Sequence, residues 1–211
     1  MAGWLSDRRH ASASEDCVAT NYDLRAGLMF AGTFHRIHER APRLEIAMIA
    51  QLVNMLGLIQ VDGSRLVETA GCLVSRLYVE DTLPLVLGWK VDCETFDGRT
   101  WTAVPERIQP MMGEDPTGVP YVDVSGTASG DRRRLAVFLL NCYLDEAVTI
   151  TLAFEGLQPP ASGRLRQIAA DSPFARNDFE HPERLRIIEV DARSSSKLEL
   201  PPHSVSVLLL G

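Results

Sequence analysis

The sequence predicts a mainly β chain with an N-terminal α/β segment: a jelly-roll-like β-sandwich preceded by a helix–strand–helix unit. Three observations carry this. Apolar residues recur at helical spacing from Leu24 to Ile37, a nearly unbroken apolar run follows from Arg43 to Asn54, and from Leu83 onward the hydrophobic period falls to two. The first pattern buries one stripe of a helix, the third buries one face of an antiparallel strand, and a run apolar on both faces belongs inside an α/β layer covered on each side. The expected divisions are a leader or loop at 1–20, the helix–strand–helix unit at 21–82 and the sandwich at 83–211.

Taken in order, residues 11–20 are small and polar and read as a loop. Asn21 or Asp23 is placed to cap a helix that runs to about Arg40, because a short side-chain oxygen there accepts a bond from an unpaired backbone N–H. Leu24, Leu28 and Ala31 form one row, Phe30, Phe34 and Ile37 a second, and Pro42 stops the helix. The run Arg43–Asn54 is then expected as a buried strand. Gly57 and the turn Asp62-Gly63-Ser64 lead to a second helix with Leu66, Ala70, Leu73 and Leu77 in one row and Val67 and Val74 beside it. Helix, buried strand, loop, helix is the repeating unit of a (β/α) barrel or a doubly wound sheet.

In the remainder, Val148, Ile150, Leu152 and Phe154 alternate with Thr149, Thr151 and Ala153, the signature of a half-buried strand. Further strands are predicted at 83–91, 121–125, 135–141, 164–168, 184–190, 197–200 and 204–210, separated by Gly- and Pro-containing turns such as 158–163 and 201–203. Short strands with regular turn signals indicate a β-sandwich or jelly roll, and no fixed-period repeat supports a propeller or solenoid.

Composition narrows the function classes. A formal charge of −7 and 23% charged residues argue against a nucleic-acid or anionic-membrane surface, which needs a basic face. The one compact basic cluster, Asp131–Arg134, precedes an apolar strand and reads as a solvated turn. Cys17, Cys72, Cys93 and Cys142 are scattered, with no Cys-x-x-Cys pair, which suits buried thiols in a reducing compartment and points to the cytoplasm. Residues 1–10 lack the apolar core of a signal peptide, and no stretch of 18 apolar residues occurs.

Several segments together resemble a known family. Asn21–Gly27 through Ala50-Gln51-Leu52-Val53-Asn54, then Val119–Ser125, Leu135–Asn141 with Glu146–Thr149, and the ending Leu200–Leu208, are similar in order and spacing to the C-terminal portion of intracellular-type α-L-arabinofuranosidases of glycoside hydrolase family 51. The resemblance implies that 21–82 is the helix–strand–helix remnant of a (β/α)₈ barrel and 83–211 the domain that follows it. It implies retaining hydrolysis of terminal α-L-arabinofuranosyl groups from arabinan, arabinoxylan and oligosaccharides, in the service of L-arabinose metabolism. That chemistry needs two carboxylates about 5–5.5 Å apart. In the family these are glutamates on barrel strands four and seven, and nothing in this sequence matches their Asn-Glu or Glu-Trp contexts. The chain is therefore expected to be inactive alone, with no catalytic residue of its own, no metal and no cofactor. Its implied partners are an arabinofuranosyl saccharide in the intact enzyme and either the barrel portion or further copies of the chain, with no nucleic acid and no membrane.

One contact transfers through the resemblance: Gln51, at the C-terminal end of the last barrel strand, is expected to hydrogen-bond the arabinofuranose ring. Asn54 is expected to cap a loop, and Trp4 is a candidate for sugar stacking. One departure stands out, because Asn141-Cys142 replaces the Asn-Arg common in the family and removes a salt link to the barrel.

Other candidates have plain readings. His35 and His38, with Glu39, share a helix without a further ligand and are expected to be solvated. His181 and His203 lie in turns. Glu45 begins the apolar run at the end opposite to barrel chemistry, and Asp123, Glu146 and Glu155 alternate with apolar residues and read as solvent-facing. Gly-x-Ser-x-Gly and phosphate-binding glycine loops are absent. The alternative to an enzyme portion is a non-catalytic β-sandwich module that binds polysaccharide or a protein partner, with Trp89 and Trp101 as its only paired aromatic candidates.

Overall fold

A computed structural model of the chain describes residues 22–41, 43–98, 115–194 and 197–211. Trp4, Cys17, Asn21, Pro42 and Trp101, and with them the expected leader, lie outside the described residues. No helix among the described residues is long and apolar enough to cross a membrane.

Helix α1 spans Leu24–Glu39, and its N-cap is Asp23, whose carboxylate accepts the Arg25 backbone N–H at 3.0 Å. The Leu24 N–H, which has no partner inside the helix, donates to the Ala175 carbonyl at 2.9 Å, so a distant loop closes the helix start. Strands β1 (Ile59–Asp62) and β2 (Arg65–Glu68) form a hairpin, with Gly63 at φ 59° in the turn. This corrects the expected extent of the second helix. Leu66 and Val67 belong to β2, one exposed and one buried, and Thr69 caps helix α2 (Ala70–Asp81) by accepting the Cys72 N–H at 3.3 Å. The two helices pack tightly at Gly27, where a Cβ would sit 3.3 Å from both Ala70 Cβ and Val74 Cγ2.

The remaining elements are β3 (Leu85–Leu87), β4 (Thr95–Phe96), β5 (Val119–Pro120), β6 (Val122–Ala128), β7 (Leu135–Asn141), β8 (Val148–Ile150), β9 (Ser162–Ile168), β10 (Ile188–Arg193), β11 (Leu198–Leu200) and β12 (Ser204–Leu210). Six make one antiparallel sheet in the order β10-β9-β12-β7-β6-β3, while β8 pairs with β11 and β4 with β5. The expected strands over 83–91 and 148–154 shrink to three residues each, and the one over 184–190 shifts to Ile188–Arg193.

Strand β7 is buried along its whole length, and its alternation divides the core. Ala136, Phe138 and Leu140 join Val205 and Val207 of β12 beneath Leu24, Leu28, Leu73, Val74, Leu77 and Tyr78 of the helices. Leu135, Val137 and Leu139 join Leu208 and Leu210 on the other face, covered by Leu198 and Leu200 with Val148, Ile150, Leu152 and Phe154. The fold is thus a β-sandwich with a short helical N-terminal segment packed on the outer face of its larger sheet. Each fully buried Leu or Phe stabilises this arrangement by roughly 1.5–3 kcal/mol.

The run Arg43–Asn54 differs from the expected buried strand. It pairs with no described strand beyond one parallel bridge from Val53 to Ile59, and it is open to solvent: Ile46 is 74% exposed, Met48 89%, Leu52 58% and Val53 50%. The physical reason lies in the sheet. A strand apolar on both faces needs a neighbour at each edge and a covering layer on each side, and the six antiparallel strands described here close their own core without it.

Candidate functional site

Gln51 stands at the start of a tight loop at the end of this apolar run. Its φ is 62°, and Asn54 (53°) and Leu56 (69°) are also left-handed, a conformation that costs a side-chain-bearing residue roughly 1–2 kcal/mol. Hydrogen bonds hold the loop in place. The Asn54 N–H donates to the Ile59 carbonyl at 2.7 Å, and its Oδ1 accepts the Val61 N–H at 2.7 Å, which makes Asn54 the loop cap expected from the sequence. The Ile59 N–H donates to the Leu52 carbonyl at 3.0 Å, and the Leu56 N–H to the hydroxyl of buried Tyr22 at 3.0 Å. At Gly57 a Cβ would lie 2.6 Å from the Asn54 carbonyl oxygen, so only glycine fits. Gln51 itself is exposed, and its amide makes no hydrogen bond among the described residues. The loop therefore offers a fixed backbone, an uncommitted amide and a flanking row of exposed apolar side chains.

A second polar cluster joins α1 to the sheet, and here two expectations are corrected. His35 and His38 are buried, and Asp123 on β6 is buried as well. Arg36 Nη2 donates to both Asp123 oxygens at 2.8 Å, while its Nη1 pairs with Glu39 at 2.7 Å. His35 Nδ1 lies 3.1 Å from Asp123 Oδ2, a close contact between the imidazole and the carboxylate. His38 places Nδ1 2.8 Å from Ser125 Oγ and Nε2 3.1 Å from Thr82 Oγ1, with its ring edge-on to Phe138 at 5.2 Å. Burial, and then the neighbouring His35, lower the His38 imidazole to about 4. Burial alone would raise Asp123, but His35 and Arg36 outweigh it and hold the carboxyl below its usual range. With the histidines and the carboxylate buried and Arg36 at the rim, these groups fasten helix to sheet. Among the described residues no group of three or more His, Cys, Asp or Glu side chains is arranged to hold a metal.

The other candidates are dispersed. Glu45, Glu146 and Glu155 are exposed, as is the turn 131–134. His181 is a surface residue 3.3 Å from Asp178, whereas His203 is buried at φ 40°, with Nδ1 2.8 Å from the Leu144 carbonyl and Nε2 2.8 Å from that of Ala170. Asn141 Nδ2 faces the carbonyls of Glu146, Leu200 and Pro201, and next to it burial pushes the Cys142 thiol up to about 12. Trp89 is half-buried under the Arg36 guanidinium, 5.9 Å from the ring centre.

Sequence reasoning missed an aromatic stack. Phe96 lies 4.8 Å from Tyr121 at 44°, and Tyr121 lies 4.0 Å from Tyr143 at 7°, nearly parallel. The Tyr143 hydroxyl donates to Glu94 Oε2 at 3.0 Å. These residues come from three separate segments, and no spacing in the sequence links them.

The family model described as the α-L-arabinofuranosidase C-terminal domain matches residues 2–204. No curated protein matches the chain in sequence. Among solved structures, the thermostable GH51 α-L-arabinofuranosidase from Thermotoga petrophila RKU-1 superposes with a TM-score of 0.78 at 22% identity, covering 92% of this chain and 40% of that one. The α-L-arabinofuranosidase from Thermotoga maritima in its arabinose complex gives 0.76 at 22% identity, over 89% of this chain and 38% of that one. The GH51 arabinofuranosidase from Xanthomonas axonopodis pv. citri gives 0.71 at 22% identity, over 90% and 36%. The chain thus spans about 40% of the length of the first of these structures, and the likeness to them is one of fold.

Proposed function

Since the chain belongs to the family of α-L-arabinofuranosidase C-terminal domains, we propose that it is the supporting, non-catalytic portion of a retaining arabinofuranosidase. In this reading it lends its apolar run to a barrel carried by the rest of the enzyme and presents Gln51 to an arabinofuranosyl group. The observation that carries the reading is the exposure of Ile46, Met48, Leu52 and Met55 in one uninterrupted segment. Contiguous exposed apolar surface of this kind marks an interface.

The carboxylates support the division of labour. Retention requires two carboxyl groups facing one sugar, yet each buried carboxylate among the described residues is tied to an arginine: Asp23 to Arg25 at 2.6 Å, Asp81 to Arg166 at 2.6 Å and Asp123 to Arg36 at 2.8 Å. The three carboxylates stand apart from one another, at the cap of α1, on α2 and on β6, so no two of them are brought together as a pair. Gln51, at the start of the constrained loop that ends the run, fits the rule that barrel chemistry gathers at the C-terminal ends of strands. Association with further copies of the chain, through the same uncovered segment, belongs to the proposal too. So does a cytoplasmic setting, which the free thiols of Cys72, Cys93 and Cys142 favour.

The test is an assay of the purified chain on an aryl α-L-arabinofuranoside, alone and with a separately produced barrel portion of a GH51 enzyme. Turnover only in the mixture is expected, and Gln51→Ala should weaken arabinoside binding in that mixture. Turnover by the chain alone, at the rate of an intact enzyme, contradicts the proposal.

A further inference from the structure

We propose that the Tyr121–Tyr143 stack and Glu94 form a surface subsite for a neutral pyranose chain, separate from the Gln51 loop and independent of the role assigned to it. The two rings lie 4.0 Å apart at 7°, and both are half-buried. Phe96 packs on the helix-side core, but neither tyrosine belongs to either hydrophobic core. Tyr121 contacts both Tyr143 and Phe96, 4.8 Å away, so the three rings connect the helix-side core, on which Phe96 packs, to Tyr143, which belongs to no core. Its neighbour Leu144 is itself 50% exposed. A flat amphipathic ring held outside the core, next to exposed apolar surface, is the form that recognises the C–H face of a six-membered sugar.

The rim selects the ligand. Tyr143 donates its hydroxyl to Glu94 Oε2 at 3.0 Å, and Glu94 Oε1 has no partner among the described residues, so it is available to accept a sugar hydroxyl. Partial burial first, then the Glu94 bond and the Glu94 and Glu146 charges, push the phenol up to about 12, which keeps it a donor that fixes the carboxylate. Two carboxylates beside the ring repel phosphates and acidic sugars, while hydroxyl donors of a neutral chain complement them. The backbone is rigid at this point: Tyr121 donates its N–H to the Glu94 carbonyl at 3.0 Å and accepts the Cys142 N–H at 2.7 Å. The site is thus preorganised by β4, β5 and the end of β7.

Calorimetric titration of the full chain with xylohexaose, and affinity electrophoresis in soluble arabinoxylan, test this directly. Binding is expected for the unaltered chain, to fall about tenfold in Tyr143→Ala, to stay within about threefold in Tyr143→Phe, which keeps the ring, and to weaken about threefold in Glu94→Gln, which disturbs no packing. Absence of binding by the unaltered chain overturns the proposal. So does equal binding by Tyr143→Ala, or a patch that binds a polylysine peptide but no saccharide.

Discussion

Arg36 on α1 and Asp123 on β6, 87 residues apart in sequence, meet through two 2.8 Å hydrogen bonds from a single guanidinium nitrogen. The arginine is 45% exposed on its side chain and the carboxylate 9%, so the pair sits at the rim of the helix–sheet interface with its acidic half inside. Replacing Arg36 by Met leaves that carboxylate without its charge partner. A buried pair broken in this way costs up to several kcal/mol, and the exposure of the arginine reduces the expected loss to about 2 kcal/mol. Urea denaturation of Arg36→Met measures it, and a loss below about 0.5 kcal/mol would show that the helix is held by apolar contacts alone.

The histidine beside this pair sets a pH dependence. His38 is lowered to about 4 in the folded chain, against an ordinary value of 6.5, so the unfolded chain binds a proton first as the pH falls. Stability is fully present above pH 6.5 and is lost progressively towards pH 4. Asp123, held below its usual range, adds its own loss only further into acid, as the pH falls through its folded value. Thermal melting between pH 7 and 4 should show a falling midpoint, and His38→Gln should flatten the upper part of that fall. An unchanged slope in the variant would assign the acid sensitivity elsewhere.

Tyr78 provides a prediction of opposite sign. Its ring stacks on Phe138 at 4.5 Å and on Phe34 at 4.8 Å, but its buried hydroxyl has no hydrogen-bond partner among the described residues. An unmet buried hydroxyl costs about 1–3 kcal/mol, so Tyr78→Phe keeps the packing and should stabilise the chain by about 1 kcal/mol. Calorimetry decides, and a clear destabilisation would mean that the hydroxyl is engaged.

The apolar run behaves differently from the core. Phe138→Ala should cost about 3–5 kcal/mol, because it opens a cavity under both helices. The double change Ile46→Ser with Met48→Ser removes two side chains that touch solvent, and should move the melting midpoint by no more than about 0.5 kcal/mol equivalent while reducing self-association in sedimentation. A large loss of stability would place these side chains inside the fold.

What the sequence made legible follows from how local each signal is. β7 and β12 were readable to the residue, since runs such as Leu135–Leu140 are apolar throughout and end at polar turns. Asp23 was readable as a cap because the bond it makes is two residues long. The hairpin β1–β2 was not, because Leu66, Ala70 and Leu73 happen to fit a helical row that Thr69 interrupts. The burial of His35 and His38 was hidden for a different reason: their partners Asp123 and Ser125 lie on a strand that only the tertiary fold brings beneath α1. The same holds for Phe96, Tyr121 and Tyr143. Of the Gln51 loop, Asn54 as a cap was visible and the left-handed backbone was not, because it depends on closure by Tyr22 and Ile59.

Amide hydrogen exchange across residues 43–56 tests the central claim most directly, measured in the chain alone and again with a GH51 barrel portion. The claim that this run is a strand awaiting neighbours predicts rapid exchange alone, except at Arg43, Leu44, Asn54 and Leu56, whose amides are already bonded, and strong protection from 45 to 50 in the mixture. Protection of 45–50 in the isolated chain, or exchange unaltered by the barrel portion, would contradict it.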